Sequence, residues 1–491
     1  MNKFFTSAIL FTTCIFLHAQ DVSYNIEMTG AAANGTYTPF WHMSNRQGLG
    51  SIDTNNGYLR AGISGNHAFA KSNLSIEYAA DVVVAKNMTS PLFVQQAFAD
   101  ISWRMFTLSL GQKERWSNFK NHRLTTGGLT ESGNSRPIPQ IRIEVPEYWD
   151  LLGTSGWFTM RGHLAYGWFS DEDWQKDFVA EGKSRTVGVR YHSKAAYFKL
   201  GNEKKFPLTY EFGLEMAAQF GGTTYNMLNV PGVTNHNPAR PKDYLSVLIP
   251  TKGDSQYNVH DQSNISGNQL GSWHTAITWH AKEWQLGIYY EHTFEDHSQM
   301  FWEYGLWTEQ LVGLQLTLKN GRWIRGINIE YFNLKNQSGP IYHDSNNKIP
   351  DQISCVDNNY NHHTYNGWFN YGMIIGTPLA TSPVYNTDGV LSTYNNRVEA
   401  FHLGVEGEPF YELAYRILLT KSNNWGTYGN PFTDIRENIS GLFEFTYSPK
   451  RFKGWSISAS FAFDKGDLYN DNTGGMLSIR KTGIINLFKK Q

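Results

Sequence analysis

Residues 73–84 read NLSIEYAADVVV, a stretch in which apolar and polar side chains alternate. A period of two residues places Leu74, Ile76 and Tyr78 on one face of a strand and Glu77 on the other. The same alternation recurs along the chain, most clearly at 24–29, 210–216 and 455–464. One apolar and one polar face, repeated strand after strand, is typical of a β-barrel that crosses a membrane.

Composition favours the same fold over a set of soluble domains. Charged residues make up 17% of the 491-residue chain, against about 25% in ordinary soluble proteins. Aromatic residues reach 15%, which suits a barrel whose Trp and Tyr side chains lie at both membrane interfaces. The mean hydropathy of -0.45 argues against a helical membrane protein. A net charge of -1 gives no basic surface, so we predict no nucleic-acid partner.

The first 19 residues have the parts of a secretory signal peptide. Lys3 precedes an apolar run from 4 to 17, and the small residue Ala19 follows. We therefore predict cleavage near Ala19, a signal peptide at 1–19 and a single barrel domain at 20–491 in the outer membrane of a Gram-negative cell. Cleavage would remove Cys14 and leave only Cys355, so no intramolecular disulfide is expected.

Segments long enough to cross a membrane as tilted strands number about eighteen. They are 22–33, 57–68, 72–84, 93–104, 106–114, 139–149, 157–169, 185–200, 209–220, 273–281, 284–296, 309–319, 323–333, 397–408, 410–421, 437–447, 455–465 and 476–488. With a periplasmic N-terminus, every long connection falls on the outer side and every short one on the periplasmic side. This is the rule for transmembrane barrels. The sequence thus predicts an all-β, antiparallel up-and-down transmembrane β-barrel of about 18 strands, with long extracellular loops and short periplasmic turns.

Two of the outer connections are long enough to carry function. The first, 221–272, contains a predicted short helix at 241–249, and the second, 334–396, is rich in Asn, Tyr and His. Aromatic rings beside Asn, Asp and Arg suit a carbohydrate, because sugar C–H faces pack on rings and hydroxyls need planar hydrogen-bonding groups. The candidates are Trp41, Trp116, Arg123, Arg136, Trp174, Trp302, Tyr360, Tyr365, Trp368 and Trp425. Any of them could instead belong to the interface belt or to loop packing.

Charged residues of both signs are predicted to face the lumen. They are Glu27, Glu77, Asp81, Asp100, Arg142, Glu144, Arg161, His163, Arg190, Glu211, Glu215, Glu291, Glu330, Arg416 and Glu444. Such residues can form a cross-barrel network that holds inserted loops, or they can line an aqueous pore. We favour the network, because no ring of a single sign is present.

Signals for metal, cofactor and catalytic chemistry are weak. His362 and His363 lack spaced partners, the acidic stretches at 171–173 and 464–472 lack an EF-hand spacing, and no nucleophile elbow or nucleotide-binding loop occurs. We therefore predict no catalytic residues, no metal and no cofactor. A lipid hydrolase assembled from Ser, His and an acid across strands stays open as an alternative.

Several dispersed segments resemble the Wzi-type capsule assembly proteins of the outer membrane, in their Bacteroidetes form. They are Pro39-Phe40-Trp41, Ser-Arg-Pro-Ile-Pro-Gln-Ile-Arg-Ile at 135–143, Gly-Asn-Gln-Leu-Gly-Ser-Trp at 267–273, Gly367-Trp368 and Gly-Thr-Pro-Leu at 376–379. The last departs from the Gly-Asn-Pro-Leu expected there. The resemblance implies an eighteen-stranded, non-enzymatic lectin that associates with exported capsular polysaccharide.

Loop chemistry and these segments together select five glycan-binding residues, which are Trp116, Arg123, Arg136, Tyr365 and Trp368. The expected partners are capsular polysaccharide and the lipid and lipopolysaccharide of the outer membrane. The runner-up function is a passive porin for small solutes, because a barrel of this strand number has a lumen wide enough for water unless loops fill it. The sequence does not fix whether barrels associate.

Overall fold

The barrel strands are the main elements of a computed structural model that describes residues 21–69, 72–257, 265–295, 300, 309–337, 341–343, 353–355 and 357–486. They are β1 (Asp21–Asn34), β2 (Asn55–Ala68), β3 (Leu74–Lys86), β4 (Leu92–Trp103), β5 (Phe106–Gln112), β6 (Gln140–Trp149), β7 (Phe158–Trp168), β8 (Arg190–Leu200), β9 (Leu208–Phe220), β10 (Asn268–His280), β11 (Trp284–Glu295), β12 (Gln310–Leu318), β13 (Gly326–Asn333), β14 (Val398–Phe410), β15 (Leu413–Gly426), β16 (Pro431–Tyr447), β17 (Trp455–Gly466) and β18 (Asn472–Asn486).

Each strand pairs antiparallel with its neighbours in the chain, and the sheet closes between its first and last strands. Glu27 of β1 lies opposite Arg60 of β2 on one side and Arg480 of β18 on the other. Closure removes every sheet edge, as a lipid environment requires. The predicted eighteen-stranded antiparallel barrel is confirmed. The predicted signal peptide and the last two residues of the predicted strand 476–488 lie outside the described residues.

Smaller elements lie in the outer connections. A three-stranded sheet joins Arg185–Val187, Thr223–Tyr225 and Thr234–His236, and short pairs join Ile341–His343 with Ile353–Cys355, Asn361–His362 with Asn366–Gly367, and Phe369–Asn370 with Met373–Ile374. The helices are α1 (Phe40–Met43), α2 (Glu172–Phe178) and α3 (Pro241–Leu248), with 3-10 turns at Met227–Asn229 and Pro383–Tyr385. The predicted helix at 241–249 is confirmed. None of the helices within the described ranges has the length and apolar character to cross a membrane.

Alternation along the strands creates two different surfaces. Outward positions such as Met28, Ile143 and Phe401 are apolar and exposed, whereas inward positions such as Glu291 and Ser109 are buried. Exposed tryptophans cluster at the periplasmic ends of strands or beside them, at Trp103, Trp157, Trp279, Trp284, Trp323 and Trp455. Such a girdle marks the membrane interface on that side.

Two details of the predicted wall are wrong. The segment 185–200 is not one strand, because Gly188 adopts a φ of +71° and separates Arg185–Val187, which pairs above the barrel, from β8. Arg190 faces outward rather than into the lumen. It lies opposite the outward Trp168, whereas its neighbour Tyr191 points into the interior. The alternation of inward and outward side chains restarts after Gly188. An alternation counted through this break therefore assigns Arg190 to the wrong face of the strand.

The hydrophobic core lies inside the barrel and is built by loops. Three outer connections enter the lumen, and we call them the first loop (35–54), the plug loop (113–139) and the cap loop (357–397). Their buried apolar residues join inward residues of the wall in one cluster, which includes Phe40, Trp41, Leu124, Leu129, Tyr191, Phe332, Tyr360, Trp368 and Ile374. An open water-filled lumen would have a polar interior instead.

Candidate functional site

The plug loop descends deep into the lumen and crosses it. Asn118 donates a hydrogen bond to the Tyr197 hydroxyl at 2.8 Å, and Asn121 donates one to Glu406 at 2.8 Å. Tyr197 and Glu406 lie near the periplasmic ends of β8 and β14, which are separated by several strands. The loop therefore reaches from one wall to another in the periplasmic half of the barrel.

Buried acids of the wall hold the plug loop in place. Lys120 forms an ion pair with Glu291, and both side chains are almost completely buried. Glu291 also accepts the backbone N–H of Leu129 at 2.7 Å, and Glu330 accepts that of Thr126 at 2.7 Å. Buried charges are tolerated only when they are paired and hydrogen-bonded. The interpretation of the lumen charges as a network that holds inserted loops agrees with this geometry.

The cap loop lies on the plug loop and binds its backbone. The Trp368 indole donates to the carbonyl of Thr130 at 2.8 Å, and the Tyr360 hydroxyl donates to that of Leu129 at 2.6 Å. Gly376 is required at this contact, because a Cβ there would lie 2.2 Å from the Leu129 carbonyl oxygen. The two loops form one packed unit.

Three of the five predicted glycan-binding residues are buried in this unit. Trp368 has no exposed surface, and Tyr365 and Arg136 are 4% and 2% exposed. The Arg136 guanidinium lies between the rings of Phe93 and Tyr371, at 3.7 and 3.9 Å from their centroids. A glycan needs an accessible ring or hydrogen-bond donor. Because these three side chains are buried, they support the outer surface from beneath and do not form part of it.

The other two predicted residues lie lower, in the lumen. Trp116 is 39% exposed and stacks on His122 with a centroid distance of 4.6 Å. The Arg123 side chain is 42% exposed, and its Nε donates to Glu406 at 2.8 Å. The structure therefore does not bring the five residues into one outer surface.

One internal cavity does connect the two groups. It has a volume of about 70 Å³, and Trp116, Arg136, Glu131 and Arg142 line it. Ligand sites usually measure about 300–1,000 Å³, whereas a few waters fit in a space of this size. The cavity suits buried water rather than a sugar ring.

Aromatic side chains also gather on the outer side of the cap loop, and we call Trp174, Phe178, Tyr371 and Tyr394 the outer aromatic cluster. Trp174 stacks on Phe178 at 4.7 Å, and its ring lies against Gly372, next to Tyr371. Tyr394 is exposed and donates a hydrogen bond from its hydroxyl to Asp388 at 2.6 Å. Gly389, next to Asp388, packs against the end of α2 at Phe178 and Ala180.

A buried carboxylate positions this cluster. Asp171, which precedes α2, accepts the backbone N–H of Tyr371 at 3.1 Å and the Gln175 side-chain amide at 3.1 Å. Burial raises the pKa of Asp171 to about 6, although both hydrogen bonds oppose the shift. The position of Tyr371 is thus set from below by Arg136 and from the side by Asp171.

The remaining aromatic candidates are mostly packing residues. Trp41 donates to Thr420 at 3.2 Å inside the barrel, and Trp425 is buried beneath Lys335. Trp302 lies outside the described residues. Sequence reasoning included Trp174 but missed Tyr371 and Tyr394. The composition of the loop 334–396 was the available signal for both.

A larger space opens at the periplasmic side. A cavity of about 930 Å³ lies along β1 to β4, β18 and the turn before β17, and Glu27, Arg60, Asp81 and Arg480 are among the residues that line it. Arg60 pairs there with Asp81 at 2.7 Å and with Glu114 at 3.0 Å. This vestibule carries both signs of charge.

Comparison with known proteins identifies the fold of this chain. No family model matches the chain, and no curated protein matches it by sequence. Among solved structures, it is similar to Wzi of Escherichia coli, described as a carbohydrate-binding β-barrel involved in group 1 capsule assembly. That similarity has a TM-score of 0.55 and 12% identity, and covers 98% of this chain and 88% of Wzi.

Porins resemble the chain less closely. OccK3 of Pseudomonas aeruginosa aligns with a TM-score of 0.47 and 11% identity over 95% of this chain and 97% of its own. OmpF of Salmonella typhi aligns with a TM-score of 0.41 and 8% identity over 94% and 97%. At these identities the likeness shows the fold alone, which is that of Gram-negative outer-membrane barrels.

Proposed function

We propose that this protein is a non-enzymatic, lectin-like barrel of the Wzi type. In this proposal it binds capsular polysaccharide at its outer loops and helps to assemble or retain the capsule at the cell surface. The observation that carries the proposal is the plug loop, which crosses the lumen and carries the cap loop above it. Because loops fill the lumen, we propose the outer surface as the place where the polysaccharide binds.

The outer aromatic cluster supplies suitable chemistry. Tyr394 is exposed, and Tyr371 and Trp174 are half-buried. The hydroxyls of Tyr371 and Tyr394 donate to the Ser170 carbonyl and to Asp388, and each can still accept a hydrogen bond. Sugar rings pack on aromatic faces, while Asp388 accepts hydrogen bonds from hydroxyls. The fold-level likeness to Wzi, described as carbohydrate-binding, supports this assignment.

The function is tested by the division of capsular polysaccharide between washed cells and culture supernatant. The parent strain is compared with a strain that lacks this gene and with the same strain carrying a restored copy. We expect deletion to move polysaccharide into the supernatant at unchanged total, and the restored copy to reverse the shift. An unchanged division would refute the proposal.

The site is tested with a Trp174→Ala, Tyr371→Ala, Tyr394→Ala triple variant of the purified barrel. We expect its affinity for the host capsular polysaccharide to fall by about tenfold or more, since each stacked ring contributes about 1 kcal/mol. Trp323→Ala is the matched control, because Trp323 is an exposed aromatic residue at a periplasmic turn. An equal loss in the control would show a general effect of surface aromatics.

A passive porin is the second candidate, and the periplasmic vestibule favours it. A space of about 930 Å³ falls in the range of solute sites. Steady single-channel conductance of the purified barrel in planar bilayers would support this function. Absence of conductance would leave the outer surface as the functional region.

A further inference from the structure

Helix α3 lies on the outside of the barrel, against the wall that faces lipid. The Tyr166 hydroxyl donates to the carbonyl of Tyr244 at 2.7 Å, and the Tyr244 ring meets Phe220 at 4.9 Å. Tyr166 and Phe220 are outward positions of β7 and β9, opposite the outward residues His192 and Arg190 of β8. Phe220 and Val247 are fully buried between helix and wall.

Lys194 in the barrel wall forms hydrogen bonds that hold helix α3 against the wall. Lys194 occupies an outward position of β8, where lipid would surround it, and an exposed ammonium is costly at that place. Its Nζ donates instead to the carbonyls of Val247 at 2.8 Å and Leu248 at 2.5 Å. These carbonyls lie at the C-terminal end of α3, which favours a cation.

The opposite face of α3 is apolar and open. Leu245 and Ile249 are 64% and 68% exposed and lie on the side of the helix away from the buried Val247. Cations border this face: Lys242 is 59% exposed and forms an ion pair with the partly exposed Asp254, and Arg190 is exposed at the rim of the wall. An apolar face with a cationic border matches the acyl chains and phosphates of an outer-leaflet lipid.

We infer that α3 is an interfacial anchor that binds the phosphorylated, acylated glycolipid of the outer leaflet, with Leu245 and Ile249 among acyl chains and Lys242 and Arg190 at phosphates. This inference is independent of glycan binding by the cap loop. The helix and the wall together form one lipid-binding surface, because the buried contacts between them leave only the outer face of α3 for the membrane.

The depth of the helix is measured with a spin label at Leu245→Cys in the full chain with Cys14→Ser and Cys355→Ser. Controls carry the label at Ile288→Cys, on the lipid-facing wall, or at Thr387→Cys, on the exposed cap loop. In bilayers of lipid A, we expect the label at Leu245→Cys to behave like the label at Ile288→Cys. Both should be more accessible to oxygen than to a water-soluble nickel complex. A match with Thr387 would overturn the inference.

Headgroup recognition is measured by native mass spectrometry of barrels extracted from lipid A membranes. Lys242→Gln with Arg190→Gln is expected to lower retained lipid A by about thirtyfold, since two cations near anionic lipid together contribute roughly 2 kcal/mol. Lys421→Gln, at an outward rim position of β15, is the matched control and is expected to retain it. Unchanged retention in the double variant, equal retention of dephosphorylated lipid A, or a second copy of the barrel on α3 would each overturn the inference.

Discussion

The indole nitrogen of Trp368 donates a hydrogen bond of 2.8 Å to the carbonyl of Thr130, which lies 238 residues earlier in the chain. The Trp368 ring stacks on Tyr191 of the wall with an interplanar angle of 22°. The Trp368 side chain therefore joins the cap loop, the plug loop and the barrel. Because it is buried, it holds these three parts in fixed positions beneath the outer surface.

Replacing Trp368 is expected to loosen the cap loop while leaving the barrel folded. Trp368→Ala removes a fully buried indole and should cost about 3–5 kcal/mol in local stability, because a cavity remains. Limited proteolysis should cut the cap loop of the variant much faster than that of the parent. Trp323→Ala, whose side chain is 69% exposed, should leave the rate unchanged; equal rates in all three proteins would contradict this.

Breaking the buried ion pair should release the plug loop. Lys120→Met leaves Glu291 charged and buried without its cation, at a cost of about 3–5 kcal/mol. We expect larger and noisier ion conductance in planar bilayers, and partial recovery in Lys120→Met with Glu291→Gln. Arg325→Met removes an exposed ion pair with Glu408 and should leave conductance unchanged. Unaltered conductance in Lys120→Met would show that other contacts alone hold the loop.

The stacked guanidinium of Arg136 should not tolerate lysine. Arg136→Lys keeps the charge but loses the flat surface that lies between Phe93 and Tyr371, at a cost of about 1–2 kcal/mol. If the outer aromatic cluster binds glycan, polysaccharide affinity should fall although Tyr371 itself is unchanged. Full affinity in Arg136→Lys would argue that Tyr371 is held by Asp171 alone.

Outer-loop packing should weaken as pH rises through the range from about 4 to about 7. Burial raises the pKa of Asp171 from its ordinary value of 3.8 to about 6 in the folded protein, so the folded state binds more protons across this window. The contribution of Asp171 to the free energy of unfolding is largest below the lower pKa. It falls by about 3 kcal/mol as pH rises and is lost above the higher pKa.

The pH effect is measured as the proteolysis rate of the cap loop at pH 4.5, 6 and 7.5. Cleavage of the parent should accelerate with pH, and Asp171→Asn should show a flatter profile. Asp388→Asn is the control, since Asp388 is exposed. A parallel profile in Asp171→Asn would assign the pH dependence to other groups.

The sequence by itself determined the barrel. Strand number, antiparallel order and the side of each long loop follow from alternation and loop length, because a bilayer demands one apolar and one polar face in every strand. The confirmed helix α3 was also readable, since Pro241 and Asp243 occupy its first turn. The break at Gly188 was the main local failure, because a single residue in the left-handed region changes which face follows.

Only the tertiary structure decided what fills the barrel. Alternation identified Glu291 and Glu330 as inward residues, but it could not show that Lys120 and Thr126 from a distant loop meet them. The same holds for Trp368 and Arg136, whose residue types suit sugar binding but whose surroundings bury them. Burial of a loop side chain depends on contacts hundreds of residues away, and local pattern carries no information about those contacts.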